Sequence, residues 1–132
     1  MAETPTEYLD RVTALFTAAF ESSAVVNRDD RPDRCLLEMT GQYGIYRVRL
    51  LEVVAPNAPR KYAYYVLQDD RVIVGFDNVP DPQVRRLKYG SAHAAHRYER
   101  IPHCHATDKA STELAPETTC ADFIAWVESN LA

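Results

Sequence analysis

Residues 43–76 read YGIYRVRLLEVVAPNAPRKYAYYVLQDDRVIVGF, and their pattern decides the fold class. From Tyr43 to Val54 the chain alternates. Tyr46, Val48 and Leu50 fall on one side and Arg47 and Arg49 on the other, the period of a strand with one buried face. Pro56 and Pro59 end that run. Tyr62 to Gln68 is aromatic and β-branched, a composition suited to a pleated surface. Asp69-Asp70 then separates it from Val72 to Phe76, most simply as a hairpin. Upstream, Cys35 to Met39 is a short apolar run closed by a Thr40-Gly41-Gln42 turn. No crossover helix is available between these runs, which disfavours parallel pairing. The expectation is an antiparallel meander of four strands.

Helical patterns flank the meander. Thr4-Pro5-Thr6-Glu7 has a capping residue, a proline at the first helical position and a glutamate three residues after the cap. Tyr8, Leu9, Val12, Phe16, Ala19 and Phe20 then mark one apolar face, and the helix is expected to end near Ser22. A charged connector over 27–33 follows. Beyond Asp77, Pro80 and Pro82 deny regular structure, a short helix is expected within 83–96, and Arg97 to Ile101 reads as a fifth strand. Thr119 and Asp122 form a second capping box ahead of a helix with Phe123, Ile124, Val127 and Leu131 as its buried stripe. The fold class is therefore α+β, a four- to five-stranded antiparallel meander with N- and C-terminal helices packed on one face. At 132 residues the chain fits one domain, 1–132.

Composition narrows the class further. Hydrophobic residues at 46% and charged residues at 26% are ordinary for a soluble globular chain. No stretch approaches the length of a membrane span, and the N-terminus lacks the basic and apolar regions of a signal peptide. Cys35, Cys104 and Cys120 are odd in number and widely spaced, against a disulfide framework. Cytoplasm is the expected location. Glycine-rich phosphate loops and a nucleophilic-serine elbow are both missing from the sequence.

The net charge of −4 is unevenly spread. The window 84–109 holds Arg85, Arg86, Lys88, Arg97, Arg100 and Lys109 against Glu99 and Asp108, and it also holds all 4 histidines. Such a window either steers an anion to this part of the surface or balances acidic neighbours in space. Histidine titrates near neutrality, so paired imidazoles can serve as acid and base together. RNA cleavage asks for such a pair plus a cation, for which Arg97, Arg100 and Lys109 are candidates. On an extended Arg97–Ile101, His96, Tyr98 and Arg100 would share a face. His103 and His105 would also point to one side if a strand continues past Pro102.

Two further readings stay open. His93-x-x-His96 with His103-Cys104-His105 offers five nitrogen or sulfur ligands. The chain has no Cys-x-x-Cys, however, and adjacent Cys and His residues cannot easily ligate one ion together. No metal and no cofactor is assigned on this basis. At the end of the hairpin strand, Asp77 and Asn78 either satisfy turn backbone groups or place Asp77 to orient a histidine.

Phe76-Asp77-Asn78-Val79-Pro80, then Pro102-His103-Cys104-His105, then the Thr119-capped helix resemble the TumE family of prokaryotic toxin–antitoxin toxins, over about Tyr62 to the C-terminus. Asp81-Pro82 stand where members often carry a His-His pair. The resemblance implies a small cytoplasmic toxin, neutralised by a helix-turn-helix antitoxin and acting on RNA. It carries over Asp77, Asn78, His103 and His105. Joined to the residue reading, it gives a metal-independent ribonuclease with His103, His105, His96 and Asp77 as catalytic groups and Arg97, Arg100, Asn78 and Lys109 on the substrate. The alternative is a non-enzymatic interaction domain for a partner protein or small anion. A homo-oligomer is left open, and no membrane partner is expected.

Overall fold

The structure is a computed structural model and describes residues 2–106 and 111–131. Element by element, α1 (Pro5–Ala19) is followed by β1 (Glu21–Asp30), β2 (Cys35–Tyr43), β3 (Tyr46–Val54), β4 (Lys61–Gln68) and β5 (Arg71–Asp77). Then come α2 (Pro82–Tyr89), a 3₁₀ helix (Gly90–His96), β6 (His103–Ala106), β7 (Ser111–Leu114) and α3 (Cys120–Asn130). Among the described residues the strands form one antiparallel sheet of seven, in sequence order. The α+β class and the meander hold, but the sheet is wider than four or five strands. No helix of the described residues is long and apolar enough to cross a membrane.

Both capping boxes form. The Thr4 hydroxyl accepts from the Glu7 N–H and the Glu7 carboxylate accepts from the Thr4 N–H; Thr119 and Asp122 repeat the exchange. The first helix stops at Ala19, earlier than expected, because the chain turns directly into β1 with Ser22 at φ 53°. The charged connector is thus largely the end of a strand. β2 runs on through Gly41 to Tyr43, and the turn falls at Gly44-Ile45, with Gly44 at φ 59° as a II′ loop requires of its first residue. Gly41 instead lies under α1, where a Cβ would sit 2.9 Å from Cβ of Phe20. Asp69 and Asp70 both take positive φ, the requirement of an I′ hairpin.

The region after β5 departs most from expectation. Pro82 opens α2 at its first turn with Asp81 as cap, so this proline starts a helix rather than preventing one. Gly90, at φ 58°, breaks the helix into the 3₁₀ segment. Residues 97–102 are not a strand. The strand begins at His103, immediately past Pro102, which cannot donate to a ladder.

Register decides what faces what, because directly paired residues project to the same side. Met39, Leu50, Tyr64 and Phe76 form one row across β2–β5. Leu9, Val12 and Phe16 of α1 and Phe123 and Val127 of α3 pack on this side, in one cluster with Leu37, Met39, Val48, Leu50 and Tyr64. Phe76 meets the Phe123 and Trp126 rings edge-on at 6.2 and 5.7 Å. Both terminal helices therefore cover one face, as expected. The neighbouring row, Arg49, Tyr65, Gly75, His105 and Thr112, and the next, Leu51, Ala63, Asp77, His103 and Leu114, project to the opposite face.

Candidate active site

Asp77 ends β5 directly opposite His103 on β6, and His105 lies opposite Gly75 one step along. Two strands thus bring a carboxylate and two imidazoles to one patch of the face away from α1 and α3. Asp77 is 3% exposed, His103 1% and His105 7%. Buried charge is costly unless paired, and here every oxygen of the carboxylate is engaged. Asp77 Oδ1 lies 2.9 Å from His103 Nε2 and accepts from the Val79 N–H at 3.0 Å. Oδ2 lies 3.2 Å from His105 Nε2 and accepts from the Tyr65 hydroxyl at 2.7 Å.

The far side of each ring is held as well. His103 Nδ1 is 2.7 Å from the Ile101 carbonyl oxygen and His105 Nδ1 is 3.0 Å from the Thr112 hydroxyl. A carbonyl only accepts, so His103 Nδ1 carries a hydrogen. The two rings meet edge-on with centroids 4.8 Å apart. Burial works to raise the Asp77 carboxyl, but the His103 and Tyr65 hydrogen bonds outweigh it and hold the group below its usual range. Burial likewise pulls His103 down, and the Asp77 bond, the Ile101 carbonyl and the nearby carboxylates together raise it.

Above the cluster opens a cleft of about 230 Å³, lined by Tyr65, Asp77, His103 and His105 together with Val79, Pro80 and Asp81 of the loop after β5. A larger hollow of about 410 Å³ runs along the same face beside it, shares Tyr65, and includes Glu38 and Arg49. The paired titratable groups are in the smaller one.

The other expected site residues lie elsewhere. His96 closes the 3₁₀ helix, its ring stacked on Tyr89 at 3.5 Å and its Nδ1 3.3 Å from a Glu99 oxygen. Without the Arg97–Ile101 strand, nothing turns His96 toward the cleft. Arg97 is exposed with its guanidinium 5.8 Å from the Tyr98 ring centre, and neither Arg97 nor Arg100 lines the cleft. Asn78 is 3% exposed and is used by the backbone: its Oδ1 accepts from the Tyr62 N–H and its Nδ2 donates to the Arg60 carbonyl. That bonding fits the turn-satisfying role rather than substrate contact. Lys109 lies outside the described residues. The five-ligand metal set also dissolves, since Cys104 pairs with Phe76 and so faces the helix side, while His93 and His96 sit in the 3₁₀ helix.

Sequence reasoning missed Tyr65, Gly75, Asp81 and Thr112 as parts of this site. Adjacent strand tyrosines Tyr64 and Tyr65 must face opposite sides, and a glycine inside a strand marks close approach of a neighbour, so two of the four had a readable signal. Compared with known proteins, the chain matches no family model, no curated protein and no solved structure.

Proposed function

We propose that the Asp77–His103–His105 cleft is the reactive centre of a small RNA-cleaving toxin that a helix-turn-helix antitoxin holds in check. One observation carries the reading. Asp77, His103 and His105, three of the positions that the resemblance to TumE toxins singles out, come from two strands far apart in sequence and share a single carboxylate-centred cluster. Cleaving a phosphodiester requires groups that handle protons near neutrality and positive charge against the phosphoryl oxygens. The imidazoles, oriented by Asp77, supply titratable nitrogen at the floor of an open cleft.

Expression of the chain alone is expected to arrest growth with loss of intact cellular RNA, and His105→Ala is expected to relieve both. Unimpaired growth at high expression, with RNA intact, would overturn the proposal. A second reading, a non-enzymatic interaction domain, is favoured by β1. Among the described residues this edge strand offers an open ladder with Val25 49% and Val26 60% exposed, a surface that a partner strand can extend. Stoichiometric co-purification with the product of a neighbouring gene, from cells whose RNA stays intact, would favour that reading.

A further inference from the structure

We infer that Asp77, His103 and His105 hold one divalent transition-metal ion of the zinc or manganese kind, through the Asp77 carboxylate and the two Nε2 atoms. The inference rests on this cleft being the reactive centre but not on RNA being its substrate. Three observations carry it. The first is spacing: one ligand atom from each residue lies within 4.8 Å of the others, with His103 Nε2 2.9 Å from Asp77 Oδ1 and His105 Nε2 3.2 Å from Oδ2. Around a tetrahedral ion with bonds of about 2.0–2.1 Å, ligand atoms lie roughly 3.3 Å apart.

The second observation is the set of groups behind the ligands. Each imidazole presents Nε2 to the cluster while its Nδ1 is anchored, by the Ile101 carbonyl for His103 and by Thr112 for His105. The Tyr65 hydroxyl and the Val79 N–H hold the carboxylate. Metal-ligating histidines characteristically engage their other ring nitrogen in this way, which fixes tautomer and orientation. With Nδ1 held by the Ile101 carbonyl, His103 is left with Nε2 facing a carboxylate oxygen 2.9 Å away, a pair that a proton or a metal ion can bridge.

The third is the chemistry of the cleft. Asp81 adds a second carboxylate to the lining, and none of the described lining residues is Lys or Arg, a balance that draws cations. Two imidazoles and one carboxylate suit a first-row divalent ion, and three protein ligands leave coordination positions facing the open cleft. An ion there would place positive charge where a phosphoryl or carbonyl oxygen can meet it, charge that the described lining of the cleft does not supply.

The test uses the full chain, stripped with a chelator, dialysed, and titrated in parallel with Zn²⁺ alone and Mn²⁺ alone, with bound metal measured by elemental analysis. One ion per chain is expected for at least one metal. His103→Ala and Asp77→Asn should each bind at least about tenfold more weakly, and Thr112→Val about tenfold more weakly, while His96→Ala binds as the parent does. Because the Thr112 change only loosens a ligand from behind, it keeps the test alive should the ligand variants fail to fold. Metal-dependent elevation of the parent's melting temperature gives an independent readout. Uptake of neither metal, or uptake undiminished in both His103→Ala and Thr112→Val, would overturn the inference. Metal binding by a protein that causes no growth arrest overturns the toxin reading and leaves the metal site standing. Arrest by a chain that takes up neither ion overturns the metal site alone.

Discussion

A Cβ on Gly75 would overlap the ring of Tyr65, its cross-strand partner, so the phenol passes over β5 only where no side chain stands. That passage delivers the Tyr65 hydroxyl to Asp77 Oδ2. Gly75→Ala should therefore swing the ring out, break this bond, and destabilise the protein by about 1–3 kcal/mol. Tyr65→Phe, which keeps the ring, should cost only about 1 kcal/mol. Denaturant melts of Gly75→Ala, Tyr65→Ala and the double variant form a cycle in which the second change relieves part of the first. Strict additivity would show that the glycine is not there for the ring. At this scale the titratable types were legible in the sequence but not their company. His103 and His105 were readable from a two-residue step, and Asp77 from its place at a strand end. Their convergence depended on the β5–β6 register, which no local pattern around Pro102 specifies.

At the scale of elements, the caps are the parts most directly encoded. The Thr119 hydroxyl accepts from the Asp122 N–H and the Asp122 carboxylate accepts from the Thr119 N–H, at 3.1 and 3.0 Å. Thr119→Ala should cost about 1 kcal/mol. Hydrogen bonds from the Thr119 backbone and side chain hold the Asp122 carboxyl below its usual range. A lowered carboxyl stabilises the fold above its unfolded value of about 3.9, and loses that contribution as pH falls through the folded value. Asp122→Asn should thus cost a few tenths of a kcal/mol near neutrality, the group being solvent-exposed, and close to nothing near pH 2–3. Urea melts of parent and variant at both pH values check this, and an equal gap at both would rule out the carboxylate charge as its source. β1 shows why other elements were illegible. Its pairing with β2 shifts register twice, and as an edge strand it buries none of its residues fully. Alternation is the signature of one buried face, and a bulged edge has no such face to report. The central strands, each with a continuous apolar row under the helices, were legible for the same physical reason, although the turn between β2 and β3 falls at Gly44-Ile45 rather than at Thr40–Gln42.

On the scale of the whole molecule, one buried group joins parts that no single element connects. Glu52 has no exposed surface and lies on the side of β3 that faces the helices, continuing the Tyr46, Val48, Leu50 alternation onto a charged residue. Its carboxylate accepts from the Tyr8 hydroxyl of α1 at 2.6 Å, from the Tyr64 hydroxyl of β4 at 2.8 Å, and from Arg60 at 2.7 Å. Arg60 in turn donates to the Thr118 carbonyl at the entrance to α3. The first helix, the middle of the sheet and the last helix are thereby tied through one ion pair. Such a pair is worth little against an apolar replacement of both partners, but removing Glu52 leaves Arg60 with only the exposed Glu117 carboxylate at 3.7 Å and takes the acceptor from the Tyr8 and Tyr64 hydroxyls. Glu52→Ala should therefore destabilise the protein by about 3–5 kcal/mol, and the joint change Glu52→Leu with Arg60→Met should recover most of that loss. Denaturant unfolding of the parent, both single variants and the double variant decides the matter. A double variant as unstable as the sum of its parts would mean that the network acts through separate packing contacts. Because Glu52 sits on the helix side and the Asp77 cluster on the other, the stable double variant is expected to keep the cleft intact, separating what holds the sheet together from what the sheet presents.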